Sequence, residues 1–383
     1  MDFVQISEEQ RVLLDSVDKL IENRIKPLWK DYNNTPIPKS VAHEILGELS
    51  QLGFIGGSAP EDVGGFGLSQ TMMGLLYERL AKAFPGLAGL TFITSSSATR
   101  IAVDGTDVHR DAYLEKLMSG QMIACAAITE PNVGSSPANI QTTAKRHDDG
   151  GWVINGEKSW ISNGDISDIC TAIVRTGEGK GGLSRFIVER TDGYTTQDIP
   201  KMAMNEWPTS NVHFNQVYVP AWRQIGDEGA GLSSTLIAFQ TARCYVATLS
   251  LGIAQAALEC AIEYAKEREQ WGKRIGQHQM IQEMLADMAT MVDAARLLTF
   301  RGFYLVDQGV RCDVQTSMAK AYATEMAVKV ASMAVQIHGA YGISKEYPVE
   351  RYFREARILP IPDGTTQIQK LIIGRGLTGL PAF

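Results

Sequence analysis

The stretch Met122-Ile-Ala-Cys-Ala-Ala-Ile-Thr-Glu-Pro-Asn-Val-Gly-Ser135 divides the chain into two kinds of sequence. Before it, Val12, Leu13, Val17, Leu20 and Ile21 recur at helical spacing behind Ser7-Glu-Glu-Gln10, a capping box. The same period continues through 41–52, 72–83 and 111–118, broken by the Gly-rich loop 59–67, so residues 1–120 read as an N-terminal helical domain. After it come short β-branched and aromatic runs bounded by turn residues: 152–154 before Asn155-Gly156, then 169–175, 185–189 and 212–219. Such runs predict antiparallel strands joined by tight turns, a compact β domain over 121–225. Beyond Gly231 the helical pattern returns over 232–268, 278–308, 313–338 and, more briefly, 365–377. Helices of that length pack best as an antiparallel bundle, so 226–383 read as a four-helix bundle and the fold class is mainly α.

Composition narrows the chemistry. The 383 residues, 44% hydrophobic and 21% charged, suit a globular protein of two or three domains. A net charge of -7 lacks the basic field that a nucleic-acid backbone demands. Five scattered cysteines without a C-x-x-C pair fit a reducing, cytoplasmic setting, and the six unclustered histidines signal no metal site. No signal peptide and no membrane span are expected from the start Met1-Asp-Phe or from the hydropathy. Gly177-Glu-Gly-Lys-Gly-Gly182 matches a dinucleotide fingerprint, yet a strand follows it where that fingerprint must open a helix, so it is expected to be a hairpin loop.

Four segments combine residues that packing alone does not require. In Ala127–Ser135 the Thr129 and Ser135 hydroxyls and the Gly134 backbone can approach a polar ligand, although the segment is also an ordinary turn leaving a strand. In Lys158-Ser-Trp-Ile-Ser162, just after the expected hairpin turn, Trp160 suits either a core or a flat heterocycle. Arg268-Glu-Gln-Trp-Gly272, with His278-Gln279 behind it, places a guanidinium where it serves a helix dipole or clamps a pyrophosphate. In Ile361-Pro-Asp-Gly-Thr-Thr-Gln-Ile-Gln369, Asp363 has the setting of a turn or an N-cap.

In this order the segments resemble the acyl-CoA dehydrogenases, from about Ser7 to Leu377. The resemblance rests on Thr129-Glu-Pro with Gly134-Ser135, Trp160-Ile-Ser162, Arg268-x-x-Trp-Gly272, Gln336-Ile-His-Gly339, Pro348-Val-Glu-Arg351 and Asp363-Gly-Thr365. It implies FAD between the β domain and the bundle, with Ile128 and Thr129 beside the flavin ring, Trp160, Ile161 and Ser162 packing near it, and Gly134 in the same loop. Ser135 is implied between flavin and thioester. Arg268, Trp271, His278, Gln279, Gln336, Ile337, Gly339 and Ala340 are implied around the FAD diphosphate and adenosine of a neighbouring subunit, and Thr365 also meets the cofactor. Arg243 matches a position near bound CoA. The implied reaction removes the substrate's α-proton with Asp363 while a hydride leaves the β-carbon for flavin N5; the thioester oxygen lies on the Asp363 backbone N–H beside Gly364. A homo-oligomer, dimer or tetramer, and an electron-transfer flavoprotein as acceptor follow from the same resemblance.

Several positions depart from the family pattern. Most members carry Glu where Asp363 stands, and a misplacement on the order of 1 Å can cost about a hundredfold in rate. Isovaleryl-type members place their base at the position of Ala242, which cannot serve, so Asp363 is the carboxylate that the resemblance leaves. Ser136, Trp271 and Ala340 replace a frequent Asp, Phe and Gly. An Asp base recurs in relatives acting on cyclohexane- and cyclohexene-carboxyl-CoA, which points to a bulky alicyclic or α-branched acyl group, and also in nitroalkane oxidase. The alternatives are therefore a nitroalkane-type flavin oxidase, a carrier-protein-linked dehydrogenase or enoyl-CoA reductase, and a scaffold without chemistry.

Overall fold

The computed structural model describes residues 5–179 and 181–381. In chain order, the helices α1 (Glu8–Leu20), α2 (Lys26–Asp31), α3 (Lys39–Ser50), α4 (Gln70–Ala83), α5 (Pro85–Asp104), α6 (Asp107–His109) and α7 (Glu115–Met118) precede a run of strands. These are β1 (Ala124–Ala127), β2 (Thr143–Arg146), β3 (Trp152–Ser162), β4 (Ile169–Arg175), β5 (Leu183–Glu189), β6 (Thr195–Asp198), β7 (Thr209–Val219) and β8 (Gln224–Ile225). Then follow α8 (Gly231–Glu267), the small strands β9 (Glu269–Gln270) and β10 (Lys273–Arg274), α9 (Gln279–Asp307), α10 (Asp313–His338), α11 (Val349–Ile358) and α12 (Thr366–Thr378). The packing forms two compact units, Met1–Ser16 with Asp31–Ser69 and Gly89–Ala238, and Val17–Lys30 with Gln70–Ala88 and Phe239–Phe383.

The expected capping box is present: Ser7 N donates to Gln10 Oε1 at 3.0 Å and Gln10 N to Ser7 Oγ at 3.2 Å. In the first unit β6, β7, β3, β2, β4, β5 and β8 lie side by side in that order, with β1 against β4. β4 and β5 are buried along nearly their whole length, which explains their continuous apolar sequence. Trp152 packs edge-on to Phe186 at 5.2 Å inside this sheet.

Two details of the sheet differ from the sequence expectation. Pairing is not antiparallel throughout: β1 runs parallel to β4 from Ala124↔Ile169 to Ala127↔Ala172, because the excursion through β2 and β3 supplies the long crossover that parallel neighbours require. Asn155-Gly156 is not a hairpin turn either. β3 runs straight through it with a register shift against β7, Asn155 Oδ1 accepts from Gln216 N at 2.8 Å across the bulge, and Gly156 takes φ 142°. A Cβ at Gly156 would come within 2.8 Å of Thr142 Cα, so this bulge needs glycine. The 177–182 segment is the loop of the β4–β5 hairpin, with Arg175 opposite Leu183; Lys180 within it lies outside the described residues, as do Met1–Val4.

In the second unit the long helices α8, α9, α10 and α12 match the expected bundle, and α4 packs on α9. The Asp307 carboxylate at the end of α9 caps α4, accepting from Gln70 N at 2.5 Å and Thr71 N at 2.9 Å. α8 is long and apolar enough to cross a membrane by length and composition, but 78% of its most apolar window is buried inside the protein, as a core helix requires. α11, which the helical spacing does not single out, is anchored by Arg351, whose Nε donates to Glu355 Oε1 at 2.6 Å and whose Nη1 donates to Trp29 O at 3.0 Å.

Candidate active site

In the first unit, β1 delivers Ile128 and Thr129 into a loop that a buried ion pair holds. Lys158 Nζ donates to Ile128 O at 3.0 Å and to Glu130 Oε1 at 2.9 Å, while Glu130 accepts Gln141 N and Thr142 N at 2.7 and 2.8 Å. Burial pulls Lys158 down to about 8. For Glu130 burial works upward, but the Lys158 charge and the N–H donors prevail and keep the carboxyl below its ordinary value. Nothing in the sequence flags this pair except that Glu130 and Lys158 belong to the two segments singled out there.

The pair brings those two segments together. Ser159 N donates to Thr129 O at 2.9 Å, and one residue later β3 carries a second irregularity, between Lys158 and Ile161. Trp160 sits in this bulge at φ 61° and is 60% exposed, so it is not a core indole. Ile161 turns the opposite way into the β core, and Ser162 is half-buried. Gly134 and Ser135 are exposed, and a Cβ on Gly134 would meet nothing within 4 Å, so packing does not explain that glycine. An outward indole beside two loop residues whose backbone is clamped from behind fits a flat heteroaromatic ring.

In the second unit, α8 ends at Glu267 and β9 and β10 form a two-residue hairpin with Trp271 (φ 55°) and Gly272 (φ 72°) at its tip. Trp271 is 92% exposed. Arg268 lies over the Tyr341 ring at 5.6 Å, and Tyr341 joins a cluster with Tyr347, His338 and Tyr264, in which His338 stacks on Tyr264 at 4.2 Å. This cluster draws Arg268 to the 336–340 segment, where Gln336, Gly339 and Ala340 are exposed and Ile337 is buried. His278 is half-buried, its Nε2 3.2 Å from Gln270 O, and Gln279 is exposed.

Elsewhere in this unit, Asp363 occupies the loop between α11 and α12 at φ 52°, followed by Gly364 at φ 88°. It is not the N-cap of α12; Thr365 is, with Oγ1 accepting Ile368 N at 3.3 Å. Two of the loop carbonyls are bound from inside: Gln369 Nε2 donates to Asp363 O and Gly364 O at 3.2 and 2.9 Å, and Lys320 Nζ to Gly364 O at 2.8 Å. Among the described residues the Asp363 N–H has no acceptor. The residue as a whole is half-buried, and burial raises the pKa of its carboxyl above the ordinary value, against the opposing charges of Lys320 and Arg243. Arg243 is itself buried, donates to Asp313 Oδ1 at 3.0 Å and leaves its Nε without a partner.

Residues 7–121, 125–217 and 229–378 match, in turn, the family models of the acyl-CoA dehydrogenase N-terminal, middle and C-terminal domains. The chain belongs to the acyl-CoA dehydrogenase family. Its cofactor is therefore FAD, and the family's oxidoreductases act on the CH–CH bond of acyl-CoA. Similar proteins include cyclohex-1-ene-1-carbonyl-CoA dehydrogenase of Syntrophus aciditrophicus, 36% identical over 97% of this chain and 91% of that one. Another is the caffeyl-CoA reductase–Etf complex subunit of Acetobacterium woodii, 35% identical over 86% of this chain and 88% of its own. The structure of butyryl-CoA dehydrogenase from Megasphaera elsdenii superimposes with a TM-score of 0.93 at 33% identity, covering 98% of this chain and 99% of that one.

Proposed function

We propose that this acyl-CoA dehydrogenase oxidises an alicyclic or α-branched acyl-CoA, with Asp363 as the base that takes the α-proton. The observation that carries the proposal is the Asp363–Gly364 loop: a carboxyl of raised basicity on a half-buried residue, next to a backbone N–H that has no acceptor among the described residues. A carboxylate of higher pKa is a stronger base, and an N–H aimed at the thioester oxygen stabilises the negative charge that develops there. Arg243 and Gly364 would meet the thioester, a reading supported by the buried Arg243 Nε that has no partner among the described residues and by the turn at Gly364.

Bound FAD supplies the acceptor for the β-hydride. Ile128, Thr129, Gly134, Ser135, Trp160, Ile161 and Ser162 are the residues of the first unit that would hold it, and the exposed indole supports that assignment. Arg268, Trp271, His278, Gln279, Gln336, Ile337, Gly339, Ala340 and Thr365 are those of the second, the first eight toward a neighbouring subunit. The 92% exposure of Trp271 supports a homo-oligomer, dimer or tetramer, in which that indole is covered. The domains would run 1–120, 121–225 and 226–383, in a cytoplasmic enzyme that delivers electrons to an electron-transfer flavoprotein. The shorter acid and the likeness to a cyclohex-1-ene-1-carbonyl-CoA dehydrogenase support the alicyclic substrate.

The test is anaerobic flavin bleaching by a thioester panel that includes cyclohexanecarboxyl-CoA, cyclohexenecarboxyl-CoA and butyryl-CoA. Asp363→Asn should stay yellow and bind thioester but lose bleaching; near-normal bleaching by that variant would reject the base. A preference for butyryl-CoA would reject the alicyclic group. The likeness to a caffeyl-CoA reductase subunit favours a second direction, reduction, which appears in the same experiment as reoxidation of the dithionite-reduced enzyme by an enoyl-CoA.

A further inference from the structure

We propose that Lys320 is the positioning residue of the loop that carries Asp363, clamping its backbone and placing a buried positive charge behind it. This rests on Asp363 being the base. Lys320 lies on α10 with no exposed surface, and its Nζ donates to Gly364 O at 2.8 Å and to Leu359 O at 3.5 Å, so it ties both ends of the 359–364 turn.

A clamp alone does not need a charge. Gln369 already performs that task from α12 with a neutral amide, on the carbonyls of Asp363 and Gly364. Burying an ammonium without an ion pair is expensive, and burial does pull Lys320 down to about 8. No carboxylate lies within ion-pair distance of it among the described residues; the charges that act on it are Asp363, Arg243 and Glu325. Arg243 is engaged by Asp313, and of the two acids that act on Lys320 the stronger influence is Asp363, ahead of Glu325, which accepts the Thr366 hydroxyl at 2.6 Å. Burial raises the Asp363 carboxyl, and Lys320 is the first charge that opposes the rise, with Arg243 second. The cation thus holds the base in a working range: basic enough to take the α-proton, ionised enough to be present as carboxylate.

The experiment uses the FAD-loaded enzyme and whichever thioester of the panel bleaches it. The rate of flavin reduction at saturating thioester is followed against pH for wild type, Lys320→Gln, Lys320→Arg and Asp363→Asn. Beside it, a difference-infrared titration reads the protonated-carboxyl band that Asp363→Asn lacks. Lys320→Gln keeps a donor and removes the charge: its acid limb and its infrared titration should both move to higher pH, with the rate below the limb falling about tenfold for each pH unit of that move. Lys320→Arg should keep both near the wild-type position. An unmoved acid limb and infrared titration in Lys320→Gln, with Asp363→Asn inert, would overturn the role of Lys320 alone. Bleaching by Asp363→Asn would overturn the base and, with it, this inference.

Discussion

The Lys158 ammonium meets Glu130 at 2.9 Å with the two side chains 0% and 5% exposed, directly behind the backbone of Ile128 and Thr129. Breaking such a pair strands a charge, so Lys158→Met should lose about 3–5 kcal/mol of stability. An apolar pair, Lys158→Met with Glu130→Leu, should not restore it, because Gln141 N and Thr142 N then lose their acceptor at roughly 1–3 kcal/mol each. Urea unfolding measures both; a double variant as stable as wild type would contradict this account. Glu130 lies below its ordinary 4.5, so its stabilisation is complete above that pH and is lost as pH falls through the folded value.

The acid proposed as the base itself weakens the fold. With Asp363 raised above 3.8 by burial, the native state holds its proton more tightly than the unfolded chain, and stability declines as pH rises from about that value through the folded one. Asp363→Asn should therefore melt higher than wild type at pH 7 and lose that advantage below the ordinary carboxylate value. Equal melting temperatures across the range would show that the carboxyl is not perturbed.

Lengthening the acid tests its height. Asp363→Glu should raise the rate on butyryl-CoA relative to cyclohexanecarboxyl-CoA by roughly ten- to a hundredfold, since about 1 Å of reach is worth that much. An unchanged ratio in single-turnover reduction would separate substrate choice from the length of the base.

Close helix packing supplies a test of the second unit. A Cβ at Gly252 in α8 would stand 2.5 Å from Lys82 N and 2.6 Å from Ala81 C of α4, both backbone atoms that cannot rotate aside. Gly252→Ala should cost about 1–3 kcal/mol in spite of alanine's better helix propensity. A stabilised variant in urea would mean that the two helices part readily.

Alkaline pH should reveal the half-buried Cys260 thiol. Burial raises Cys260 to about 11 from an ordinary 9.0, so above pH 9 the unfolded chain sheds a proton that the native state keeps, and stability falls as pH rises to about 11. Lys158, Lys201 and Lys320, each near 8, act with the opposite sign over part of this window, so the informative quantity is a difference. Cys260→Ala should show a shallower loss of stability than wild type between pH 9 and 11.

Much of this was open to inspection in one dimension. Helical period alone placed 232–268 and 313–338 within a residue of α8 and α10, and it did so because both helices bury a long apolar stripe. The order of Thr129-Glu-Pro, Trp160, Arg268 and Asp363-Gly-Thr365 was enough to indicate the family. Neither the parallel β1–β4 pairing nor the bulge at Asn155-Gly156 was legible, since both depend on which strand lies alongside, and an Asn-Gly pair serves hairpin and bulge equally well.

Local chemistry depends on neighbours in the chain; the working state of a side chain depends on neighbours in space. The residues alone determined the helical and strand segments, the family and the short acid at 363. Only folding decided that Trp160 points outward, that Thr365 rather than Asp363 caps α12, and that two lysines distant in sequence, Lys158 and Lys320, stand behind the candidate segments around Ile128 and Gly364. The reason is that a buried charge is tolerable only beside particular partners, and those partners are brought within 3 Å or so of it by packing, not by sequence.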